Sequence, residues 1–209
     1  MKLLKNIRYV AFSLALLLVT PGVWGQTVWN GGGDGTSWAD PNNWSTGLVP
    51  GAGDTVNFFA GGFEATPTVT ITIDTDVTVA SLNSPNPNDQ DDPFTLTFTG
   101  TGSLTVIGNM EFYRPTGDPP TGSDEATYVF DIDTDCGGTI TMHSGTTLSV
   151  PAGNTLTADT VQQVATNDNP ETNLLVSGTL VADTINLSVN AYEGMILTVS
   201  AGGYVGTGT

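Results

Sequence analysis

The segment Thr155-Leu156-Thr157-Ala158-Asp159-Thr160-Val161 recurs 24 positions later as Thr179-Leu180-Val181-Ala182-Asp183-Thr184-Ile185. A chain that repeats so short an apolar and hydroxyl pattern has few ways to bury it. One unit cannot cover its own apolar row, but units stacked on one another bury a continuous row, as the rungs of a β-solenoid do. Leu156 and Leu180 are therefore expected to stack on adjacent rungs, with Asp159 and Asp183 at equivalent corners.

Alternation elsewhere agrees with that expectation. Val69, Ile71 and Ile73 alternate with Thr68, Thr70, Thr72 and Asp74, and Phe94, Leu96 and Phe98 with Thr95, Thr97 and Thr99. Tyr128, Phe130 and Ile132 alternate with Val129, Asp131 and Asp133. Period two marks strands with one buried face, and helical periodicity is nearly absent after the first 25 residues. Thr, Val and Ile suit such strands because their branched Cβ packs on a pleated surface. Turn residues that accept positive φ punctuate the runs, as at Ser144-Gly145, Gly153-Asn154, Ser177-Gly178 and Gly202-Gly203. The stretches 84–93 and 114–125 read as long polar loops. The expected fold is all-β, a β-solenoid (parallel β-helix). A β-sandwich is the alternative, since short strands with Gly/Pro turns suit it too.

The chain begins with Lys2, Lys5 and Arg8, followed by an apolar run from Val10 to Val19 that Pro21 ends. Val23-Trp24-Gly25 then offers a cleavage point. The run is too short to span a bilayer, so residues 1–25 read as a removable signal peptide and the protein as secreted or displayed on the cell surface. Removing the leader leaves one basic side chain, Arg114, against 21 acidic ones. Nucleic acid and anionic membranes are excluded as partners by that balance, because both require Lys and Arg to neutralise phosphate. No later apolar run is long enough for a transmembrane helix. Cys136 is the sole cysteine, so no disulfide closes within the chain and no thiol lies at the cleavage point for lipid attachment.

Residues 26–65 form a block of different character. It reads Trp29-Asn30-Gly31-Gly32-Gly33-Asp34-Gly35-Thr36-Ser37-Trp38, then Asp40-Pro41-Asn42-Asn43-Trp44, then Val49-Pro50-Gly51-Ala52-Gly53-Asp54-Thr55-Val56. This block resembles the start of bacterial exported β-helical surface proteins, of the autotransporter-passenger and adhesin-like kind. The resemblance is carried by about 30 residues and beyond them only by repeat style. It implies export, a right-handed solenoid over residues 66–209 and a surface or matrix role. The chain has no room for the C-terminal translocator barrel of autotransporters, and its ending in repeat style reads as a truncation.

Trp29, Trp38 and Trp44 are expected to cap the open end of the first rung, which would otherwise expose apolar surface and unpaired backbone. The competing expectation is a glycan platform, with indole faces stacked on sugar rings. Its partner would be an extracellular polysaccharide or a cell-surface component.

Catalytic chemistry finds little support. His143 is the only histidine, it lies beside a turn where it is expected to face solvent, and no G-x-S-x-G element accompanies it. The expectation is a non-enzyme, structural or adhesive. The alternative is a glycan-binding module or a Ca²⁺-dependent carbohydrate-active β-helix protein. One His and one Cys exclude nitrogen- and sulfur-ligated metals, and no cofactor is required. Ca²⁺ alone is left open, at Asp131/Asp133/Asp135 or at Asp89/Asp91/Asp92, where neighbouring carboxylates repel and a hard cation would relieve them. The rows Thr68/Thr70/Thr72 and Thr95/Thr97/Thr99 raise an ordered-water-binding alternative, which pairing of these rows on successive rungs would favour.

Overall fold

Alternating inward and outward residues build short strands throughout, and a computed structural model describes residues 25–58, 68–84, 93–114, 125–164, 171–186 and 195–207. In chain order the strands are β1 (Gln26–Trp29), β2 (Thr55–Phe58), β3 (Thr68–Thr72), β4 (Val77–Val79), β5 (Ser81–Ser84) and β6 (Phe94–Thr99). There follow β7 (Leu104–Val106), β8 (Met110–Phe112), β9 (Ala126–Asp131), β10 (Thr134–His143) and β11 (Thr146–Val150). The last are β12 (Thr155–Val164), β13 (Thr172–Val176), β14 (Thr179–Asn186), β15 (Met195–Val199) and β16 (Tyr204–Gly206).

They form two sheets. The larger runs β1-β2-β5-β8-β10-β12-β14-β16, with β4 and β7 extending it beside β10, and the smaller runs β15-β13-β11-β9-β6-β3. Every pairing between these strands is parallel, as stacked rungs require. A sandwich built from hairpins would instead place antiparallel strands side by side. The protein is a β-solenoid of about five turns. Because β1 and β2 already belong to the larger ladder, the Trp-rich block is continuous with the solenoid.

The internal repeat is a stack of rungs. Leu156 pairs with Leu180 in register, and both side chains are fully buried. Each such Leu contributes about 1.5–3 kcal/mol by leaving water. Asp159 and Asp183 occupy equivalent places, between the pairs Ala158–Ala182 and Thr160–Thr184. They lie inside β12 and β14, where inward/outward alternation slips by one residue and the larger sheet bends. On β10 two residues, Gly137-Gly138, stand where β12 has Asp159 alone, giving a register shift between Cys136 and Thr139. The aspartates thus point out at the bend, where no apolar side chain is needed.

Between the two sheets the chain turns a tight corner. Ile73 N–H donates to the Thr99 carbonyl at 2.7 Å, and Gly102 N–H donates to the Ile73 carbonyl at 2.9 Å. Gly100 lies at φ +132°, and a Cβ there would run into the Ile73 carbonyl. Only glycine lets adjacent corners stack so closely.

An aromatic spine joins the early rungs. Phe58 meets Phe98 edge-on at 5.5 Å, and Phe98 stacks on Phe130 at 5.1 Å. Phe130 contacts Phe112, which packs on Tyr128. The Tyr128 hydroxyl donates its one proton to the Tyr113 carbonyl and accepts from the Ser84 hydroxyl at 2.8 Å, so its burial leaves no polar atom stranded. Tyr128, Phe130 and Ile132 face inward, as their alternation demands. Cys136 is buried as well, and burial pushes its thiol up, which makes it an inert core group.

Candidate functional site

Trp29, Trp38 and Trp44 are only 1 to 2% exposed. Trp44 lies edge-on to Trp29 at 4.9 Å and to Trp38 at 4.7 Å, and its Nε1–H donates to the Trp38 carbonyl at 2.8 Å. The ring faces are spent on one another and on Phe58, so they offer no platform to a sugar. The glycan expectation for these residues is corrected accordingly. A Trp in a Gly/Asn-rich loop reads as exposed from sequence, but here the loop folds back over the first rungs.

Asn43 and Asp34, which the sequence reading did not single out, hold that fold-back. Asn43 is fully buried. Its Oδ1 accepts from Gly33 N–H at 2.9 Å and Gly35 N–H at 3.0 Å, while its Nδ2 donates to Asp34 Oδ1 at 2.8 Å and to the Ser37 carbonyl at 2.9 Å. Asp34 Oδ1 also accepts from Thr36 and Ser37 N–H. Those two backbone donors, with Asn43, hold the Asp34 carboxyl below its ordinary value. Asp40 caps the 3₁₀ turn Pro41–Asn43 and accepts from Asp34 N–H at 3.0 Å. The folded loop then closes the edge of the smaller sheet, since Trp38 N–H donates to the Thr72 carbonyl and Thr72 N–H to the Thr36 carbonyl. The run Gly-Asp-Gly-Thr-Ser-Trp followed by Pro-Asn-Asn-Trp was the available signal, being rich in residues that bond their own backbone.

Asp131, Asp133 and Asp135 sit on alternate outward positions where the chain passes from β9 to β10. Each bonds a different residue of the next rung: Asp131 accepts from Asn154 Nδ2 at 2.9 Å, Asp133 from Thr155 N–H at 2.8 Å, and Asp135 from the Thr157 hydroxyl. Among the described residues no three His, Cys, Asp or Glu side chains converge as a metal-holding group. Asp89, Asp91 and Asp92 lie outside the described residues.

His143 departs from the solvent-facing expectation. It stacks on Tyr113 at 3.7 Å between ring centres, its side chain is 15% exposed, and its Nε2 lies 3.0 Å from Glu111 Oε1. Tyr113 donates to the same oxygen at 2.7 Å. Burial works to raise Glu111, but the hydrogen bonds from His143 and Tyr113 outweigh it and hold the carboxyl below its ordinary value. Tyr113 is pushed up to about 12, by burial and by the carboxylate it bonds. These three groups satisfy one another across β8 and β10, as a polar clasp between neighbouring rungs.

The Thr rows do pair: Thr68, Thr70 and Thr72 lie opposite Thr95, Thr97 and Thr99. On the next rung the row continues as Thr127, Val129 and Asp131, so the hydroxyl lattice spans two rungs before it changes character.

A shallow cleft follows the corner between the sheets. One part, of about 300 Å³, is lined by Asp76, Thr101, Ser103, Asp133 and Asn154, among others. The adjoining part, of about 220 Å³, shares Ser103 and Asp133 and extends to Asp135 and Thr157. Asp76 Oδ1 accepts from Ser103 N–H at 3.1 Å and from Ser103 Oγ at 3.0 Å. Asp76 and Asp133 therefore each engage one carboxylate oxygen and leave the other without a partner among the described residues. No known protein family, curated protein or solved structure matches this chain.

Proposed function

We infer that the chain is an exported, non-catalytic structural or adhesive protein of the cell surface or extracellular matrix, of the autotransporter-passenger or adhesin-like kind that its first residues resemble. The observation that carries this reading is the sealed first rung. The Trp29/Trp38/Trp44 loop closes one end of a parallel column whose outward rows are Thr, Ser, Asn and Asp. A capped rod with a hydroxylated, acidic exterior stays soluble outside the cell and presents a long, repetitive surface to a partner. The basic and apolar leader supports export. Ca²⁺ enters this reading as a counter-ion of the acidic surface.

Expression with the native leader in a Gram-negative host tests it. N-terminal analysis and fractionation are expected to find protein beginning at Gln26 in the envelope or medium, and that protein is expected to promote attachment of cells or beads to a surface. Retention of residues 1–25 on cytoplasmic protein would overturn the export reading. Secreted protein without any attachment phenotype would overturn the adhesive one.

A further inference from the structure

The outward surface beside the corner cleft carries a regular column. Asp76, Ser103, Asp133, Thr155, Thr179 and Tyr204 occupy one position on six successive rungs, the first three just before β4, β7 and β10 and the last three opening β12, β14 and β16. Three observations place them there: the register Thr155–Thr179–Tyr204, the Asp133 bond to Thr155 N–H, and the Asp76 bonds to Ser103. Tyr204 differs from the rest of the column. It is 59% exposed, and a Cβ on Gly206 would collide with its Oη, Cζ and Cε1. Its ring thus reaches along the strand over Gly206 and stays largely exposed. An exposed aromatic ring that leans on its own strand beside a row of hydrogen-bonding groups is the surface an amphipathic ring ligand fits.

We propose that this column, from the Asp76/Asp133 cleft to Tyr204, is a binding strip for an extended neutral polysaccharide. The proposal rests on the extracellular, adhesive reading and names the ligand class of that adhesion. Chemistry selects the class. The free oxygens of Asp76 and Asp133 accept charge-assisted hydrogen bonds from sugar hydroxyls, and Thr155 and Thr179 supply hydroxyls between Asp133 and Tyr204. The Tyr204 face packs on the C–H side of a pyranose ring.

The same carboxylates repel uronate and sulfated chains, and the described lining of the cleft holds no Lys or Arg to offset them. Rungs spaced about 4.8 Å apart present one polar group for roughly each sugar unit of an extended chain. Asp133 and Tyr204 stand about 14 Å apart along the column on that spacing, room for a short oligosaccharide between them.

Affinity electrophoresis and titration calorimetry with hydroxyethylcellulose, xyloglucan and galactomannan, with alginate as the anionic control, decide the matter. Retardation by at least one neutral polymer and none by alginate is expected. Tyr204→Ala should weaken binding about fivefold or more, while Tyr204→Phe, which keeps the ring, should leave it within about twofold. Asp133→Asn exchanges a charge-assisted bond for a neutral one and should weaken binding about fivefold.

Circular dichroism of each variant separates lost binding from lost fold. If Tyr204→Ala unfolds the last rung, Asp133→Asn, three rungs away, carries the test alone. No retardation by any neutral polymer, or binding unaffected in both variants, overturns the strip. Surface attachment by a protein that binds none of these polymers would sink the strip while leaving the adhesive reading standing.

Discussion

Replacing Trp44 by Ala tests whether the aromatic cap holds the first rungs. Trp44 is 2% exposed, so its indole has left water almost completely. A buried aromatic side chain removes about 150–250 Å² from solvent, which at about 25 cal/mol per Å² corresponds to roughly 4–6 kcal/mol. Its edge-on contacts to Trp29 and Trp38 and the Nε1 bond to the Trp38 carbonyl are lost as well, while the loop recovers part of the cost by collapsing. Trp44→Ala is therefore expected to cost about 4 kcal/mol, within the range of such truncations.

Trp44→Phe keeps most of the apolar volume and loses chiefly the hydrogen bond, so about 1–2 kcal/mol is expected. In a solenoid the loss should appear as early opening of the cap rather than as a shift of the whole transition. Urea unfolding of protein beginning at Gln26, read by Trp fluorescence for the cap and by far-UV circular dichroism for the column, resolves the two. For Trp44→Ala the fluorescence transition should move to lower urea well ahead of the dichroism transition. A cost below about 1 kcal/mol, or equal costs for Ala and Phe, would refute the view that ring packing seals the end.

Four further outcomes follow from particular residues. Leu180→Ala should cost about 2–5 kcal/mol, because the Leu156–Leu180 row is fully buried, and should move the dichroism transition while sparing cap fluorescence. Gly100→Ala should destabilise by well over 1 kcal/mol because its Cβ meets the Ile73 backbone, whereas Gly47→Ala, with open space at φ +67°, should cost only about 1 kcal/mol. Asp34 has a folded pKa below its unfolded one, so its stabilisation is present above the unfolded value near pH 4 and is lost as pH falls through the folded value. Acid titration of Trp fluorescence should show the cap loosening in that window, and Asp34→Ala should abolish the step. Ca²⁺ and NaCl at matched ionic strength should raise the melting temperature equally, since Asp131, Asp133 and Asp135 each bond a separate partner; an excess for Ca²⁺ that Asp133→Asn removes would contradict this.

The sequence by itself determined the strand content and the stacking of its repeats. Period-two alternation at Phe94–Thr99 and at Ala126–Asp131 decides which side chains face in, and the 24-residue repeat decides that Leu156 lies on Leu180. These are local, periodic properties, readable because each rung answers only to its neighbours. Tertiary structure decided what depends on residues far apart in the chain. Trp29, Trp38 and Trp44 become a sealed cap because Asn43 pins a glycine loop that pairs with Thr72. His143 leaves solvent because Glu111 and Tyr113, some 30 residues earlier, occupy the adjacent rung. Tyr204 joins Asp133 in one column only through two intervening strands. Periodicity fixes which face a side chain takes, but which groups share that face depends on the register between rungs, and loops of unequal length between strands hide that register from the sequence.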